Sequence, residues 1–334
     1  MVKPRKFLLP FSLLYGGVMK VRNILYDRGV LESSSFSTPV ICVGNLSVGG
    51  TGKTPMIEYI IRLLHSRYSI ATLSRGYGRK TSGYIQVTGN EDAGEVGDEP
   101  MQFKNKFPEV FVAVDENRRN GISQLINNFK PEVILLDDAF QHRRVNAGYN
   151  ILLTAYNNMY TDDLVLPAGN LREPIEGASR AQVVVVTKCP ATLGIKERKD
   201  IAAKLNLKDD QRLFFSYIKY GEELMKGEKT FPLEFLKTRK FTLLTGIANP
   251  LALVNFLHSR GFSFEHLKFP DHHNFSPKEL EEIKAAELVV TTEKDYMRLK
   301  DMSHPGLYYL PIQTEFLENK EDFNKGILNF IHEK

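Results

Sequence analysis

The run VGNLSVGGTGKTP, residues 43–55, constrains this chain more than any other stretch. An apolar strand feeds a glycine-rich turn, and Lys53–Thr54 then opens a helix. That order is the layout of a phosphate-binding P-loop. Successive backbone N–H groups in such a turn point inward as a nest for phosphate oxygens, and the following helix adds the positive end of its dipole. The predicted nucleotide cradle is therefore Ser47, Val48, Gly49, Gly50, Thr51, Gly52, Lys53 and Thr54. Lys53 would reach the β- and γ-phosphates, and the Thr54 hydroxyl would take a place on Mg²⁺. The pattern departs from G-x-x-x-x-G-K-[ST] at its first position, where Ser47 replaces glycine, and Gly49, Gly50 and Gly52 supply the freedom instead. The plain alternative is a glycine-rich turn before an ordinary helix.

A P-loop needs a parallel sheet to hold it, and the surrounding chain reads that way. A helix from Thr54 to His65 carries Ile57, Ile60, Ile61 and Leu64 on one face. Short apolar runs at 69–73, 84–87, 110–114, 133–136, 151–154 and 183–187 alternate with helical segments. Continuous apolar strands between helices predict a parallel sheet covered on both faces. A second α/β block without a P-loop begins near Lys240, with strands at FTLLTGI, 264–269, 288–291 and 307–312, and helices at 250–259 and from Ser276. The expected fold is α/β: a P-loop NTPase-type parallel sheet with helices on both faces, plus a smaller C-terminal α/β domain. Its expected parts are an N-terminal helical region (1–30), a P-loop kinase domain (31–212), a connector (213–239) and the smaller domain (240–334). The connector's aromatic start, FFSYI, could pair with a neighbouring strand. A length of 334 residues accommodates two domains.

The net charge of +4 points away from a nucleic-acid binder, which would show a strongly basic patch, and suits an anionic substrate or membrane surface. Cys42 and Cys189 sit at or beside apolar runs without metal-type spacing, as free thiols of a reducing cytoplasm do. At the N-terminus, Lys3, Arg5 and Lys6 precede an apolar run from Phe7 to Met19, and Lys20 and Arg22 follow it. The run is too short to span a bilayer and lacks a convincing signal-peptidase site. Phe11, Leu14, Tyr15 and Val18 share a helical face, which either lies in an anionic membrane surface or packs on the domain.

Three further constellations carry chemistry. The apolar strand ending in Asp137–Asp138 has the form of a Walker B segment, whose acid holds Mg²⁺ or its waters; paired aspartates can also cap a following turn. Asp98 and Glu99 of GDEP could accept a proton from a hydroxyl, although on residues alone the run reads better as a helix N-cap with Pro100 at the first helical position. Arg75, Arg79, Arg118, Arg119, Arg143, Arg144 and Arg172 fall in loops or near element ends, where guanidinium groups match phosphates; any single one also reads as a solvated surface residue. Gln141 and His142 follow the Walker B acids and should lie near nucleotide or substrate. In PDHHNFS, His272 and His273 point to opposite faces of an extended chain, which suits an orienting histidine better than a metal pair. TTEKD, residues 291–295, either touches the nucleotide base or simply begins a helix.

Taken in order, VGNLSVGGTGKTP, SRGYGR, GDEP, DDAFQHRR, LPAGNLREP, FPDHHNF and TTEKD resemble the tetraacyldisaccharide 4'-kinase family of lipid A synthesis across nearly the whole chain. One departure is Ala139, where the family often has glycine; a methyl group matters there only if the position needs positive φ. The resemblance implies ATP and Mg²⁺ as cofactors. It implies phosphorylation of the 4'-hydroxyl of an acylated glucosamine disaccharide 1-phosphate, giving lipid IVA. It also implies a peripheral enzyme on the cytoplasmic face of the bacterial inner membrane, which favours the membrane reading of the N-terminus. Asp98 becomes the implied base, paired with a histidine of PDHH, His272 before His273. Lys53 is the implied phosphate lysine, and Thr54 with Asp137 or Asp138 the implied Mg²⁺ ligands. Arg75, Arg118, Gln141, His142 and Arg172 are candidates for the acceptor.

Two other readings remain at this level. A P-loop kinase of a soluble sugar or nucleoside would share the phosphate site and need no membrane helix. A nucleotide-dependent switch or metal chaperone would hydrolyse its nucleotide to exchange partners. A guanine reader would carry Asn-Lys-x-Asp, and TKCP at 187–190 has Pro190 where the aspartate would fall.

Overall fold

The computed structural model describes residues 5–271 and 273–334; Lys3 of the basic N-terminal cluster lies outside them. The chain opens with α1 (Leu9–Asp27), then β1 (Val40–Asn45), α2 (Lys53–Leu64), β2 (Ile70–Ser74), β3 (Ile85–Val87), α3 (Ala93–Val96) and α4 (Asp98–Lys106). It continues with β4 (Phe111–Val114), α5 (Arg118–Phe129), β5 (Val133–Asp137), β6 (Tyr149–Ala155), β7 (Val183–Thr187), α6 (Ile195–Leu205) and β8 (Arg212–Tyr220). A second group follows: β9 (Glu223–Lys226), β10 (Lys229–Pro232), β11 (Thr242–Thr245), α7 (Leu251–Ser259), β12 (Glu265–Lys268), α8 (Pro277–Ala285), β13 (Val289–Thr292), α9 (Glu293–Leu299) and β14 (Leu307–Leu310). The last elements are β15 (Ile312–Phe316) and α10 (Lys320–His332).

A nine-stranded sheet in the order β15-β8-β7-β6-β1-β5-β2-β4-β3 carries the P-loop strand at its middle. Its seven inner strands run parallel and the edge strands β15 and β3 antiparallel. β1 is buried at all six positions, so its residues serve two faces. Ile41 and Val43 pack with Ile57, Ile60, Ile61 and Leu64 of α2, while Val40 and Cys42 join the opposite layer. Alternate side chains of a strand point to opposite faces, and apolar layers on both sides are why the run is continuous rather than alternating. Burial pushes both thiols, Cys42 and Cys189, up to about 12.

The second sheet has six strands in the order β10-β9-β14-β13-β11-β12. Here the boundaries differ from those expected. FFSYI pairs with a neighbouring strand, as its aromatic run suggested: it lies in β8, parallel to β7, so the start of the expected connector belongs to the large sheet. The run 307–312 is not one strand: β14 belongs to the small sheet, and after Pro311 the chain returns as β15 of the large one. Proline cannot donate to a ladder, which breaks the run at that point. The two crossings lie side by side, with Gly221 N donating to Pro311 O at 2.9 Å. α10 then packs back on α2, where Tyr59 meets Phe316 and Phe323 edge-on at 5.2 and 5.8 Å and its hydroxyl donates to Asn324 at 2.7 Å. The final segment, expected with the small domain, thus completes the large one.

Candidate active site

β1 delivers the chain to the sheet edge at Asn45, and the loop returns at Lys53, the first residue of α2. Gly49 and Gly52 take φ of 116° and 86°, conformations that a side chain would strain, and Gly52 caps α2. Ser47 is extended instead: it is bridged to Leu171, with Val48 N donating to Asn170 O at 2.8 Å and Arg172 N to Leu46 O at 2.7 Å. The first P-loop position therefore needs no glycine, because the LPAGNLREP segment holds it as a short ladder. From the other side, Thr187 Oγ1 donates to Thr51 O and Lys188 Nζ to Gly50 O, each at 2.7 Å. Burial, then Lys53, pushes Lys188 below its ordinary value. Thr187 and Lys188 were weighed in the sequence only as part of TKCP, against a guanine-reading element, and not as braces of this loop. Their signal was positional: a polar residue ending an apolar parallel strand, where such sheets bind ligands.

Register pairs Val43 with Asp137, which sets the Walker B acid beside the P-loop strand. Asp137 is buried, accepts from Ser74 Oγ at 3.3 Å, and its Oδ1 has no hydrogen-bond partner among the described residues. Burial, reinforced by Asp138, pushes its carboxyl up to about 7. Asp138 turns away at φ 51° and accepts from Arg172 Nη1 and Nη2 at 3.1 and 2.6 Å, with Lys53 Nζ at 3.7 Å. Although burial works against it, Lys53 and then Arg172 hold Asp138 below the ordinary carboxylate value. The positive φ falls on Asp138 and not on Ala139, so the methyl group at 139 is accommodated without strain.

These donors fit Mg²⁺. Asp137 offers a buried carboxylate oxygen lacking a partner, and Thr54 a hydroxyl in the first turn of α2. Among the described residues no cluster of three or more His, Cys, Asp or Glu could hold a metal. A folded-state value raised above the unfolded one means that the native state binds the proton more tightly. The stability cost therefore grows as pH rises from the ordinary aspartate range toward about 7, and is complete above it. Asp137→Asn is accordingly expected to stabilise the metal-free protein at pH 8 by on the order of 1 kcal/mol or more, and less at pH 5. Paired thermal melts at the two pH values check this, and equal shifts at both would contradict it.

The acceptor candidates divide. Arg118 is 2% exposed, not on the surface; it donates to the backbone oxygens of Asp115 and, at 3.4 Å, Asp137. Burial, only partly offset by Asp137 and Asp138, brings it down to about 10. Arg172 also donates to Asn45, through both its carbonyl and its side-chain oxygen. Gln141 Nε2 donates to Asn45 O at 2.8 Å and Glu173 Oε1 at 3.0 Å. Those three braces hold the site from within. Arg75 is exposed after β2, and His142 is half-buried. Burial, then Arg118 and Arg75, pushes His142 down to about 4, which keeps its imidazole neutral near pH 7. Asn45 and Glu173, on which these bonds converge, were not singled out from the sequence, since a lone amide or acid carries no motif.

α1 lies across this network by its polar face. Tyr15 donates to Arg172 O at 2.9 Å, Arg22 to Gln141 O at 2.9 Å, Asn23 to Glu173 Oε2 at 2.8 Å, and Ser12 Oγ accepts from Ala168 N at 2.8 Å. Tyr15 is thus turned inward, against the expected grouping, because its hydroxyl reaches a backbone acceptor. Phe11, Leu14 and Val18 are 62%, 70% and 59% exposed, and Phe7 and Val21 extend the stripe.

Asp98 is the first residue of α4, not its cap; Gly97 is the cap, at φ 95°. A Cβ at Gly97 would stand 3.2 Å from the Gly76 backbone, so GDEP and SRGYGR pack together at this point. The Asp92–Glu95 capping box sits one turn earlier, on α3. Asp98 is buried and accepts from Arg298 Nε at 2.9 Å on one oxygen and Nη2 on the other. Lys294 stands 3.8 Å from Glu99 and 3.0 Å from Asp271. His272 lies outside the described residues. His273 Nε2 meets both Glu279 oxygens at 3.1 Å, and its ring stacks on Phe269 at 4.9 Å. TTEKD begins a helix: Thr292 caps α9 by accepting from Asp295 N.

The family model described as tetraacyldisaccharide-1-P 4'-kinase matches residues 4–332. A tetraacyldisaccharide 4'-kinase of Flavobacterium johnsoniae is 51% identical over 334 residues, 98% of each chain. One from Bacteroides thetaiotaomicron is 45% identical, covering 99% of this chain and 94% of its own. A crystal structure of LpxK from Aquifex aeolicus in complex with ATP superposes with a TM-score of 0.81 at 32% identity, covering 98% of this chain and 99% of that one.

Proposed function

The chain belongs to the tetraacyldisaccharide-1-P 4'-kinase family, and from that membership we propose how its residues carry the transfer. The activity is that of an ATP-dependent kinase of lipid A synthesis, which phosphorylates the 4'-hydroxyl of tetraacyldisaccharide 1-phosphate to give lipid IVA. Lys53 and the amides of residues 47–54 hold the β- and γ-phosphates, with Lys53 kept in place by Asp138 and Asn45. Thr54 and Asp137 would hold Mg²⁺, which when bound neutralises charge on the phosphate oxygens. Asp98 accepts the proton of the sugar hydroxyl as the bond from the 4'-oxygen to the γ-phosphorus forms and the bond to ADP breaks. Arg75 and neutral His142 receive the disaccharide and its 1-phosphate. Phosphoryl transfer asks little covalent chemistry of the protein, so positioned charges of this kind account for most of the catalysis.

The observation that favours a lipid acceptor over a soluble sugar is α1. Its polar face is bonded to the loops that hold the phosphate site, and its other face is an unbroken apolar stripe. No helix of the described residues is long and apolar enough to cross a membrane. α1 therefore lies in the surface of the cytoplasmic leaflet, bringing the site to an acceptor whose acyl chains stay in lipid.

A Phe11→Asp/Leu14→Asp variant is expected to lose at least about 10-fold in affinity for phosphatidylglycerol vesicles, because two inserted apolar side chains are removed. Its KM for vesicle-borne acceptor should rise in step, with kcat on detergent-dispersed acceptor preserved. Unchanged vesicle binding would remove the membrane role. Label from γ-³²P-ATP arriving on a soluble sugar, and not on the lipid disaccharide, would favour the soluble-sugar reading.

A further inference from the structure

α9 is held against α4 by four residues of one face. Glu293 pairs with Lys106 at 2.7 Å, and Lys106 also reaches Glu58 of the P-loop helix at 2.7 Å. Met297 Sδ accepts from Asn105 at 3.2 Å. Lys294 stands near Glu99, and Arg298 takes both oxygens of Asp98. Glu293, Lys294, Met297 and Arg298 are spaced to share a helical face, and their partners run from the first turn of α4 to its last. TTEKD, which the phosphate site leaves without a role, is the start of this docking helix. α9 belongs to the small-sheet domain and α4 to the large one, so the orientation of Asp98 is set from across the molecule.

We infer that Arg298, reaching across from α9, is the positioning residue for Asp98. The inference rests on the assignment of Asp98 as base. A carboxylate carries about four lone-pair directions, and a bidentate guanidinium that takes one on each oxygen fixes the carboxylate plane. Among the described residues, Arg298 from α9 meets this carboxylate and also donates from Nη1 to the His273 carbonyl at 3.3 Å, while Lys294 one turn earlier on α9 stands against Glu99 and Asp271.

The test is a double-substitution cycle read by γ-³²P transfer to the lipid disaccharide in the full chain. Arg298→Ala is expected to lower kcat by about 10- to 100-fold through misplacement of the base, with KM for ATP little changed. Arg298→Lys, which keeps charge but loses the fork, should recover only part of the loss. In an Asp98→Asn background, Arg298→Met should cost little more than Asp98→Asn alone. That pair removes both charges and avoids stranding a buried carboxylate, and a melting curve is the check that it folds. Normal kcat in Arg298→Ala would overturn the inference, as would an Arg298→Met loss as large in the Asp98→Asn background as in the parent. A near-normal kcat in Asp98→Asn itself would instead remove the base assignment.

Discussion

Asp98→Asn is expected to lower kcat by about 10²- to 10⁴-fold, the range for loss of a positioned general base, while the KM for ATP holds nearly constant. The change keeps size and hydrogen-bonding shape but removes the carboxylate that would take the hydroxyl proton. The split follows from position: Asp98 opens α4, whereas the groups around the phosphates come from the ends of β1, β5 and β7 and the start of α2. The partly buried Arg298 beside it loses an anionic partner, so some loss of stability should accompany the loss of rate. Steady-state kinetics with both substrates, together with a melting curve, separate the two effects. A variant that melts normally and keeps its kcat would show that proton acceptance lies elsewhere.

Lys53→Ala is expected to cost about 10²- to 10³-fold in kcat, the range for removal of one preorganised charge stabiliser. Nucleotide affinity should fall as well. Lys53 Nζ stands 3.7 Å from Asp138 and 3.5 Å from Asn45, which hold it in place before any phosphate arrives. Its loss also leaves Asp138 with Arg172 as its remaining ion-pair partner among the described residues. Lys53→Arg should rescue poorly, because a planar fork does not replace a compact ammonium inside a tight loop. Titration with a fluorescent ATP analogue and kcat measured at saturating ATP distinguish weakened binding from a weakened transition state. Unaltered kcat at saturation would assign Lys53 to binding alone.

Much of this site was legible because the relevant physics is local. A nest of amides needs glycine at particular turns, and Gly49 and Gly52 are where the backbone takes positive φ. An apolar run ending in acid predicted that Asp137 would sit at a strand end, and it does. The helical period placed Ile57, Ile60, Ile61 and Leu64 in the core, and all four are fully buried. Periodicity misjudged Tyr15, because a phenol on an apolar stripe can turn toward a backbone acceptor whose position lies 157 residues away. Arg118 is buried and not solvated, because it donates to the carbonyl of Asp115 three residues back and to that of Asp137 at the end of β5.

The sequence by itself determined the glycine-rich turn between strand and helix, the layered α/β class, the order of its motifs and, through them, the family. Each of these depends on neighbours along the chain: a turn, a helical face, an apolar strand. Tertiary structure alone decided that β15 and α10 return to the large sheet, that Asp138 is neutralised by Arg172 while Asp137 keeps an open oxygen, and that Asp98 is gripped by Arg298. Those pairings join residues tens to hundreds of positions apart. Their energies depend on burial and distance, which no local pattern encodes.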